Sequence, residues 1–256
     1  MQPTVNLFIG SGGKHDEKAA KIYLHTLYSN TRRNLNITWL SPETMDSDWN
    51  RTNWGTPFTC YRYAIPHMMN FKGKALYTDV DMINFRDIGA LFDTSLNGKP
   101  FGMVWDALQD NGKKGRDLGY PRGFWCDSVM LIDCEKAKDF VDPIDTMKKW
   151  KNRSYKWRVM DKLGSPYKEK TEELVESLDS RWNCFDGSNP AQAPLNGGTD
   201  FMDKEQFDLD MIWQLHLTAL SYQPWHPKYT PYAKASHPRQ DLMREWWRLA
   251  KIVNSI

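Results

Sequence analysis

The chain has 256 residues, of which 40% are hydrophobic and 26% are charged, an ordinary balance for a globular protein. This length suits one domain with a substantial core, or one domain that carries an insertion. The formal net charge of +2 excludes a polycation, so bulk charge points neither to nucleic acid nor to an anionic membrane as a partner.

The chain opens with strand-like and helical patterns in alternation. Residues 5–9 (VNLFI) are a short apolar run that ends in a glycine-rich turn, which is typical of a buried strand. Asp16 is placed to cap a helix with an apolar face, and residues 37–40 form a second predicted strand. No GK[ST] triplet follows the glycines, so a phosphate-binding P-loop is not expected.

The same alternation continues through the middle of the chain. Pro57 can lie in the first turn of a further helix, and residues 74–78 are a third strand that leads into an acidic triplet. Residues 101–105 and 128–132 are further buried strands, and a helix is expected from about residue 135 to 150. Strands that alternate with helices predict an α/β sheet with helices on both faces.

The segment from Lys148 to Arg158 (KKWKNRSYKWR) interrupts this alternation. It holds six basic and three aromatic residues and no acid. Cations that follow phosphates, together with rings that stack on bases, suit a nucleic-acid groove. A solvated helix face is the alternative. Near the end, residues 211–217 are strand-like, and Pro238 opens a last amphipathic helix.

Neither a signal peptide nor a membrane span is predicted. The first residues lack a basic segment followed by a long apolar run, and no stretch approaches the roughly 20 apolar residues that a span needs. The cysteines show neither CxxC spacing nor the density of a disulfide framework; they are Cys60, Cys126, Cys134 and Cys184. We therefore expect reduced thiols and a cytoplasmic protein.

The acidic triplet is Asp79-Val80-Asp81, directly after the third predicted strand. In an extended segment, residues i and i+2 point to the same side. Two carboxylates placed in this way form a hard-oxygen site for Mg²⁺ or Mn²⁺. The ends of strands are also where open α/β sheets bind ligands. A solvated turn is the alternative interpretation of an isolated triplet.

The residues around the triplet resemble glycosyltransferases of the GT-A fold, most closely family 8 and its bacterial and viral relatives. In that family an aromatic-rich helix with an Arg and an "IP" pair precedes an "ALYxDxDxI" strand and a "DIxxLF" helix. Residues 56–92 (TPFTCYRYAIPHMMNFKGKALYTDVDMINFRDIGALF) keep this order. The matching positions are Arg62, Ile65-Pro66, Ala75 to Asp81, Asp87-Ile88 and Leu91-Phe92.

Two later segments continue the resemblance. Residues 125–133 (WCDSVMLID) are similar to the "FNSGVMLIN" segment that lines the donor sugar pocket, with Asp127-Ser128 in place of the usual Ser-Gly. Residues 215–225 (LHLTALSYQPW) resemble the closing "HxxGxxKPW" element. His216 matches the histidine that completes the family's metal site. Gln223 replaces the lysine that touches the donor phosphates, and an amide donates a hydrogen bond but carries no charge.

The resemblance implies a Rossmann-like GT-A fold, with a mixed and mainly parallel sheet flanked by helices. It implies a single domain over residues 1–256 that carries the basic segment as an insertion. We expect a nucleotide-binding half, residues 1–106, which contains the DxD strand, and an acceptor half, residues 107–256, with the C-terminal helix. The location expected from the relatives is the cytoplasm of a bacterial cell or of a virus-infected host cell.

The resemblance also implies the site residues. The metal, Mn²⁺ or Mg²⁺, would be held by Asp79, Asp81 and His216. The expected donor-binding residues are Ile9, Gly10, Ser11, Arg62, Thr78, Asp79, Val80, Asp81, Asp106, Ser128, Gln223 and Trp225. The glycine turn would let a uridine lie close to the backbone. Asp127 is the candidate acid beside the sugar, with Asp161 behind it.

Two of these assignments have a simpler alternative. Arg62 suits phosphate or carbonyl oxygens near the nucleotide, but it is equally suited to a helix-surface ion pair. Asp106 follows directly on a predicted strand and can face the pocket, or it can be a turn acid.

The predicted function is metal-dependent transfer of a sugar from a nucleotide diphosphate donor, expected to be a UDP-sugar, to an acceptor hydroxyl. Family 8 implies retention of anomeric configuration, and a glycan is the expected acceptor. One alternative is a viral enzyme that glycosylates hydroxymethylated pyrimidine bases of DNA, with Lys148 to Arg158 on the nucleic acid. A second is a catalytically silent protein that binds nucleotide sugars.

Overall fold

The computed structural model describes residues 3–52, 54–107, 123–150, 171, 173–186, 212–218, 223–225 and 240–254, without the side chains of residues 106, 107, 123 and 124. Its strands are β1 (Val5–Gly10), β2 (Leu35–Leu40), β3 (Lys74–Asp79), β4 (Met82–Asn84), β5 (Phe101–Ala107), β6 (Gly123–Asp133), β7 (Val175–Ser177), β8 (Cys184–Phe185) and β9 (Gln214–His216). Its α-helices are α1 (Glu17–Asn30), α2 (Ile65–Met68), α3 (Ile88–Asp93), α4 (Ile144–Lys149) and α5 (Gln240–Ile252). Short 3-10 helices cover Gly13–Asp16, Thr59–Ala64, Lys136–Asp139 and Ser180–Asn183.

The main sheet has six strands in the order β2-β1-β3-β6-β5-β7. All of them run in one direction except β6, which is antiparallel to both of its neighbours, β3 and β5. A second sheet has the order β4-β9-β8, with β4 antiparallel and β8 parallel to β9. The expected mixed, mainly parallel GT-A sheet is therefore confirmed.

Both faces of the main sheet are covered, because neighbouring residues along its strands enter different cores. Leu7 and Leu76 lie in a core that includes residues of α1 and α5. Phe8 and Tyr77, the next residues along the same strands, lie in the opposite core with residues of α2 and α4. Burial of a large apolar side chain stabilises a fold by about 1.5–3 kcal/mol, so both layers hold the sheet in place.

The chain reverses direction across the sheet between β1 and β3. It leaves β1, passes through α1 to β2 on one side, and returns to β3 on the other side of β1. Such a switch opens a crevice at the carboxyl ends of the two central strands, which is where α/β sheets bind ligands. Gly10 and Asp79 stand opposite each other at this point.

Three local expectations were wrong in detail. The helix expected from residue 135 to 150 is divided into the 3-10 helix Lys136–Asp139 and α4, because Pro143 lacks an N–H and disfavours a helical residue before it. The helix expected at Pro57 begins at Thr59 as a 3-10 helix before it becomes α2. Asp16 precedes α1 but its side chain makes no hydrogen bond to that helix.

Within the described ranges, no helix is both long enough and apolar enough to cross a membrane. The cysteines are free and buried, as expected of reduced thiols; they are Cys60, Cys126, Cys134 and Cys184.

Gly10 leaves room for two aromatic side chains at the end of β1. A Cβ at this position would overlap the hydroxyl of Tyr77 and lie 2.6 Å from Cδ2 of Phe58. Both rings are buried, so neither can move freely into solvent. The glycine is therefore required by the packing of the core that contains Phe58 and Tyr77.

We expect Gly10→Ala to lower the free energy of unfolding by about 1–3 kcal/mol, because an overpacked core must shift to fit the methyl group. The matched control is Gly55→Ala, since nothing lies within 4 Å of a Cβ at Gly55. That variant should be neutral or more stable by up to about 1 kcal/mol. Urea denaturation measures both, and equal unfolding free energies would contradict the packing role of Gly10.

Candidate active site

The acidic triplet lies in the crevice between β1 and β3. Asp79 ends β3, and the N–H of Val80 donates to the carbonyl oxygen of Gly10 at 2.9 Å. Asp81 directly precedes β4, and only 8% of Asp79 and 9% of Asp81 is exposed. The triplet is thus a nearly buried bend rather than a solvated turn.

His216 reaches the triplet because β9 pairs with β4. In this antiparallel pair His216 stands opposite Met82, and the N–H of Leu217 donates to the carbonyl oxygen of Asp81 at 2.9 Å. Nε2 of His216 lies 3.1 Å from Oδ1 of Asp81 and 4.0 Å from Oδ2 of Asp79. One ligand atom from each of these three residues falls within a span of 4.8 Å.

Each aspartate has one oxygen held by the protein and one that faces the histidine. Oδ1 of Asp79 accepts from Nη2 of Arg62 at 3.0 Å and from the hydroxyl of Tyr77. Oδ2 of Asp81 accepts from Nε2 of Gln223 at 2.8 Å. The other two oxygens, Oδ2 of Asp79 and Oδ1 of Asp81, are the atoms nearest to the imidazole.

His216 likewise has one ring nitrogen bound by the protein and one that faces the two aspartates. Its Nδ1 lies 3.0 Å from Oδ1 of Asn183, whose Nδ2 donates to Oγ of Ser128 at 2.9 Å. Because the amide N–H₂ faces Ser128, the amide oxygen faces Nδ1 and accepts its proton. In the neutral imidazole Nε2 therefore carries the lone pair, and it points toward Asp79 and Asp81.

The three residues fit a divalent cation. Oδ1 of Asp81 is buried and accepts no hydrogen bond, although a lone buried polar atom is costly. Carboxylate oxygens with one imidazole nitrogen suit Mn²⁺, and the carboxylates alone suit Mg²⁺. A cation bound between these atoms would satisfy the unpaired oxygen and offset the repulsion between the two carboxylates.

The electrostatics of the site reflect this crowding of charge. Burial raises the pKa of Asp79 to about 6, against the lowering effect of Arg62 and with the raising effect of Asp81. Burial lowers the pKa of His216, but the negative charges of Asp81 and Asp79 outweigh it and place that pKa above its ordinary value. Metal ligands must be deprotonated, so a bound cation would displace these protons.

Arg62 is a buried ion-pair partner of two carboxylates. Besides Asp79, it contacts Asp127: Nη1 donates to the Asp127 carbonyl oxygen at 2.8 Å and lies 3.0 Å from its Oδ1. The hydroxyl of Tyr63 donates to Oδ2 of Asp127 at 2.5 Å. The guanidinium carbon also lies 4.7 Å from the ring centroid of Tyr77. The ion pairs of Arg62 are buried beside the candidate metal site and are not on a helix surface.

Gln223 and Trp225 connect the last matched segment to the start of the chain. Nε2 of Gln223 donates to Asp81 and also to the carbonyl oxygen of Leu217 at 2.9 Å. Nε1 of Trp225 donates to Oδ1 of Asp16 at 3.2 Å. Asp16 in turn accepts from the N–H of Gly12 through Oδ2 at 2.6 Å. The acid expected to cap α1 therefore joins this segment to the glycine turn.

Other residues expected to bind the donor have buried side chains. Ile9 and Thr78 are fully buried, and Val80 is 1% exposed. The Thr78 hydroxyl accepts from the hydroxyl of Tyr23 at 2.9 Å, on the core side of β3. Oγ of Ser11 accepts from the N–H of Gly13 at 3.0 Å, within the glycine turn.

Some expected residues cannot be placed. Asp106 pairs with Phe124 between β5 and β6, but its side chain is outside the described residues, as is Asp161. The basic segment is described only as far as residue 150. There Lys148 lies 2.8 Å from Oδ2 of Asp46 and 3.0 Å from Oδ2 of Asp48.

The sequence did not single out Tyr63, Tyr77 or Asn183. The two tyrosines stand among apolar residues and resemble core positions, and only their hydroxyl contacts reveal the link to the aspartates. Asn183 belongs to no recognisable motif. Its position next to β8, which pairs with β9, was not predictable because β8 is only two residues long and has no clear pattern.

The chain matches the model of "Glycosyl transferase family 8" over residues 15–226. A comparison with curated proteins gives no match. The structure is similar to that of the galactosyltransferase LgtC in complex with donor and acceptor sugar analogs, with a TM-score of 0.60, 15% identity, and coverage of 96% of this chain and 95% of that chain.

The structure is also similar to the glycosyltransferase GlyE of Streptococcus pneumoniae TIGR4, with a TM-score of 0.58, 17% identity, and coverage of 99% of this chain and 63% of that chain. For the bifunctional glycosyltransferase WbbM the TM-score is 0.58 at 13% identity, with 97% of this chain and 52% of that chain covered. The chain thus spans about half the length of WbbM. Identities this low support the GT-A fold alone, whereas the family match covers most of the chain. The chain therefore belongs to glycosyl transferase family 8 and is a glycosyltransferase.

Proposed function

We propose that this glycosyltransferase transfers a sugar from a nucleotide diphosphate donor, a UDP-sugar, to an acceptor hydroxyl with retention of configuration. Asp79, Asp81 and His216 hold the divalent metal, Mn²⁺ or Mg²⁺. The observation that carries the proposal is the convergence of three ligand atoms within 4.8 Å, one of them a buried carboxylate oxygen without a hydrogen bond.

The position of this site supports a diphosphate ligand. It lies where the carboxyl ends of β1 and β3 meet at the switch in strand order. When bound, the divalent metal would supply charge neutralisation for the departing diphosphate. Arg62 would not reach the donor, because its guanidinium is 3% exposed and is paired with Asp79 and Asp127. It would instead hold Asp79 in the orientation that leaves Oδ2 free.

Asp127 is the candidate carboxylate beside the sugar. Arg62 and Tyr63 bind its side chain from two directions, so both carboxylate oxygens are fixed in place. A fixed negative charge stabilises the positive charge that develops on the anomeric carbon. With retention, the acceptor oxygen bonds to that carbon from the face where the diphosphate leaves, and its proton passes to the leaving group.

A glycan is the proposed acceptor. An open depression of about 580 Å³ is lined by residues 49–52 and 54–57, among which Trp54 is half-buried. Indole rings offer broad apolar faces to sugars. The ring of Trp54 lies 6.4 Å from the ring of Tyr63, whose hydroxyl donates to Asp127. By contrast, the described part of the basic segment gives no support to DNA, because Lys148 is paired with two aspartates.

We expect UDP-sugars to raise the melting temperature of the protein only when Mn²⁺ is present, because a ligand of the folded state stabilises it. Asp81→Ala should abolish the rise, since it removes the unpaired ligand oxygen. The control is Asp139→Ala, an exposed aspartate remote in sequence from the site, which should respond as the wild type does. A thermal-shift screen with Mn²⁺ and then with chelator measures this. An unchanged response of Asp81→Ala would refute the metal assignment.

We expect Asp127→Asn to lower kcat by about 100-fold or more, because the charge that stabilises the transition state is lost. The UDP-sugar thermal shift should persist, since Asp127 is not a metal ligand. Tyr63→Phe keeps the carboxylate and removes one hydrogen bond, so its kcat should fall by less than about 10-fold. Steady-state kinetics compare the two variants. Wild-type kcat in Asp127→Asn would exclude a catalytic role for this residue.

We expect acceptor affinity to be nearly independent of salt, as for a neutral glycan. If the acceptor were DNA held through 6–10 phosphates, affinity would fall by about 10³- to 10⁵-fold between roughly 50 mM and 200 mM salt. The acceptor KM for glycan arrays and for hydroxymethylated DNA, measured across that range, separates the two. A steep loss with salt would favour the DNA reaction.

A further inference from the structure

Asn183 lies fully buried behind the histidine of the candidate metal site. It is the last residue of the 3-10 helix Ser180–Asn183. The side chain of Asp179 caps this helix by accepting a hydrogen bond from the N–H of Arg181. The following residues form β8, which runs parallel to β9 so that Phe185 stands opposite His216. The backbone on both sides of Asn183 is therefore fixed relative to the histidine.

The side chain of Asn183 joins two elements of the site. Its Nδ2 donates to Oγ of Ser128 in β6 at 2.9 Å, and its Oδ1 lies 3.0 Å from Nδ1 of His216. All three side chains are buried. The imidazole also packs edge to face against Phe185, with ring centroids 5.4 Å apart at 70°. The ring has a hydrogen-bond partner on one side and an aromatic wall on another.

This arrangement selects one tautomer of His216. The amide oxygen can only accept, so the nitrogen that faces it, Nδ1, must carry the proton. The opposite tautomer would place an N–H at Nε2, which is 3.1 Å from Oδ1 of Asp81. The Nδ1–H tautomer instead leaves the lone pair of Nε2 facing Asp81 and Asp79.

We propose that Asn183 is a positioning residue, which holds His216 in the Nδ1–H tautomer so that Nε2 is available as a metal ligand, and which ties this ligand to Ser128 on β6. The proposal rests on the proposed function, because it concerns the metal site of that function. Ser128 belongs to the segment that the resemblance places at the donor sugar. Asn183 thus connects that segment to the metal ligand through one amide.

The first test concerns the protein without metal. NMR of protein with isotope-labelled histidine, recorded at a pH above which the His216 signals no longer change, reports which ring nitrogen carries the proton of the neutral imidazole. We expect Nδ1–H for His216 in the wild type, with signals assigned by their absence in His216→Gln. Asn183→Ala should convert it to Nε2–H, donated to Asp81. A wild-type signal from Nε2–H, or an unchanged tautomer in Asn183→Ala, would overturn the proposal.

The second test measures Mn²⁺ affinity by calorimetry. Loss of an outer hydrogen bond to a metal-bound histidine costs about 10- to 100-fold in affinity, and we expect this for Asn183→Ala and Asn183→Leu. Asn183→Asp keeps an acceptor for Nδ1–H, so its affinity should stay within a few-fold of the wild type. The matched control is Asn36→Ala, an exposed asparagine on β2.

The two tests separate failure of this inference from failure of the proposed function. If the wild type bound no Mn²⁺, the metal site would be wrong, while the tautomer of the metal-free protein would still decide what Asn183 does. If Asn183→Ala bound Mn²⁺ as tightly as the wild type, the positioning role would be refuted and the metal site would stand. Urea denaturation shows whether each variant is less stable than the wild type. If the loss of Mn²⁺ affinity came only from lost stability, Asn183→Asp would not restore that affinity.

Discussion

The structure depends on the close approach of two carboxylates in a crevice that excludes most water. Asp79 and Asp81 repel each other, and their burial removes the water that would screen them. The fold offsets this with one buried cation, Arg62, and with hydrogen bonds from Tyr77 and Gln223. Because Arg62 also pairs with Asp127, the carboxylates around it outnumber this one guanidinium. The unpaired oxygen of Asp81 is where this imbalance is concentrated.

The same contacts that offset the charge also orient the side chains of the three converging residues. Each of the three converging residues has one polar atom bound to the protein and a second that faces the common centre. A carboxylate or imidazole held at one atom cannot rotate, so the other atom is oriented before any ligand arrives. Sites organised in advance lose less entropy on binding. The rigidity comes from strand pairing, because β9 brings His216 beside β4 and thus beside Asp81.

At two positions where the sequence departs from the family pattern, the structure shows what the replacing residue contacts. Gln223, which stands where the family has a lysine, turns toward Asp81 rather than into open space. Asp127, which stands where a small residue is usual, takes the second arm of Arg62. Both replacements change the charge around the aspartates, one by removing a cation and the other by adding an anion. The balance at the centre of the site therefore differs from that of the family pattern.

The sequence by itself determined the α/β fold, the family and the identity of the three converging residues. Apolar runs fixed the central strands because both faces of the sheet are covered, and the triplet after β3 marked the crevice since strand ends meet there. Helix 135–150 was overestimated because Pro143 outweighs the surrounding helical pattern. Only the tertiary structure decided which distant residues hold the ligands: Arg62 and Asn183 lie 17 and 33 positions from their partners in the chain. Such contacts depend on the packing of distant short elements, and no local pattern of residues encodes them.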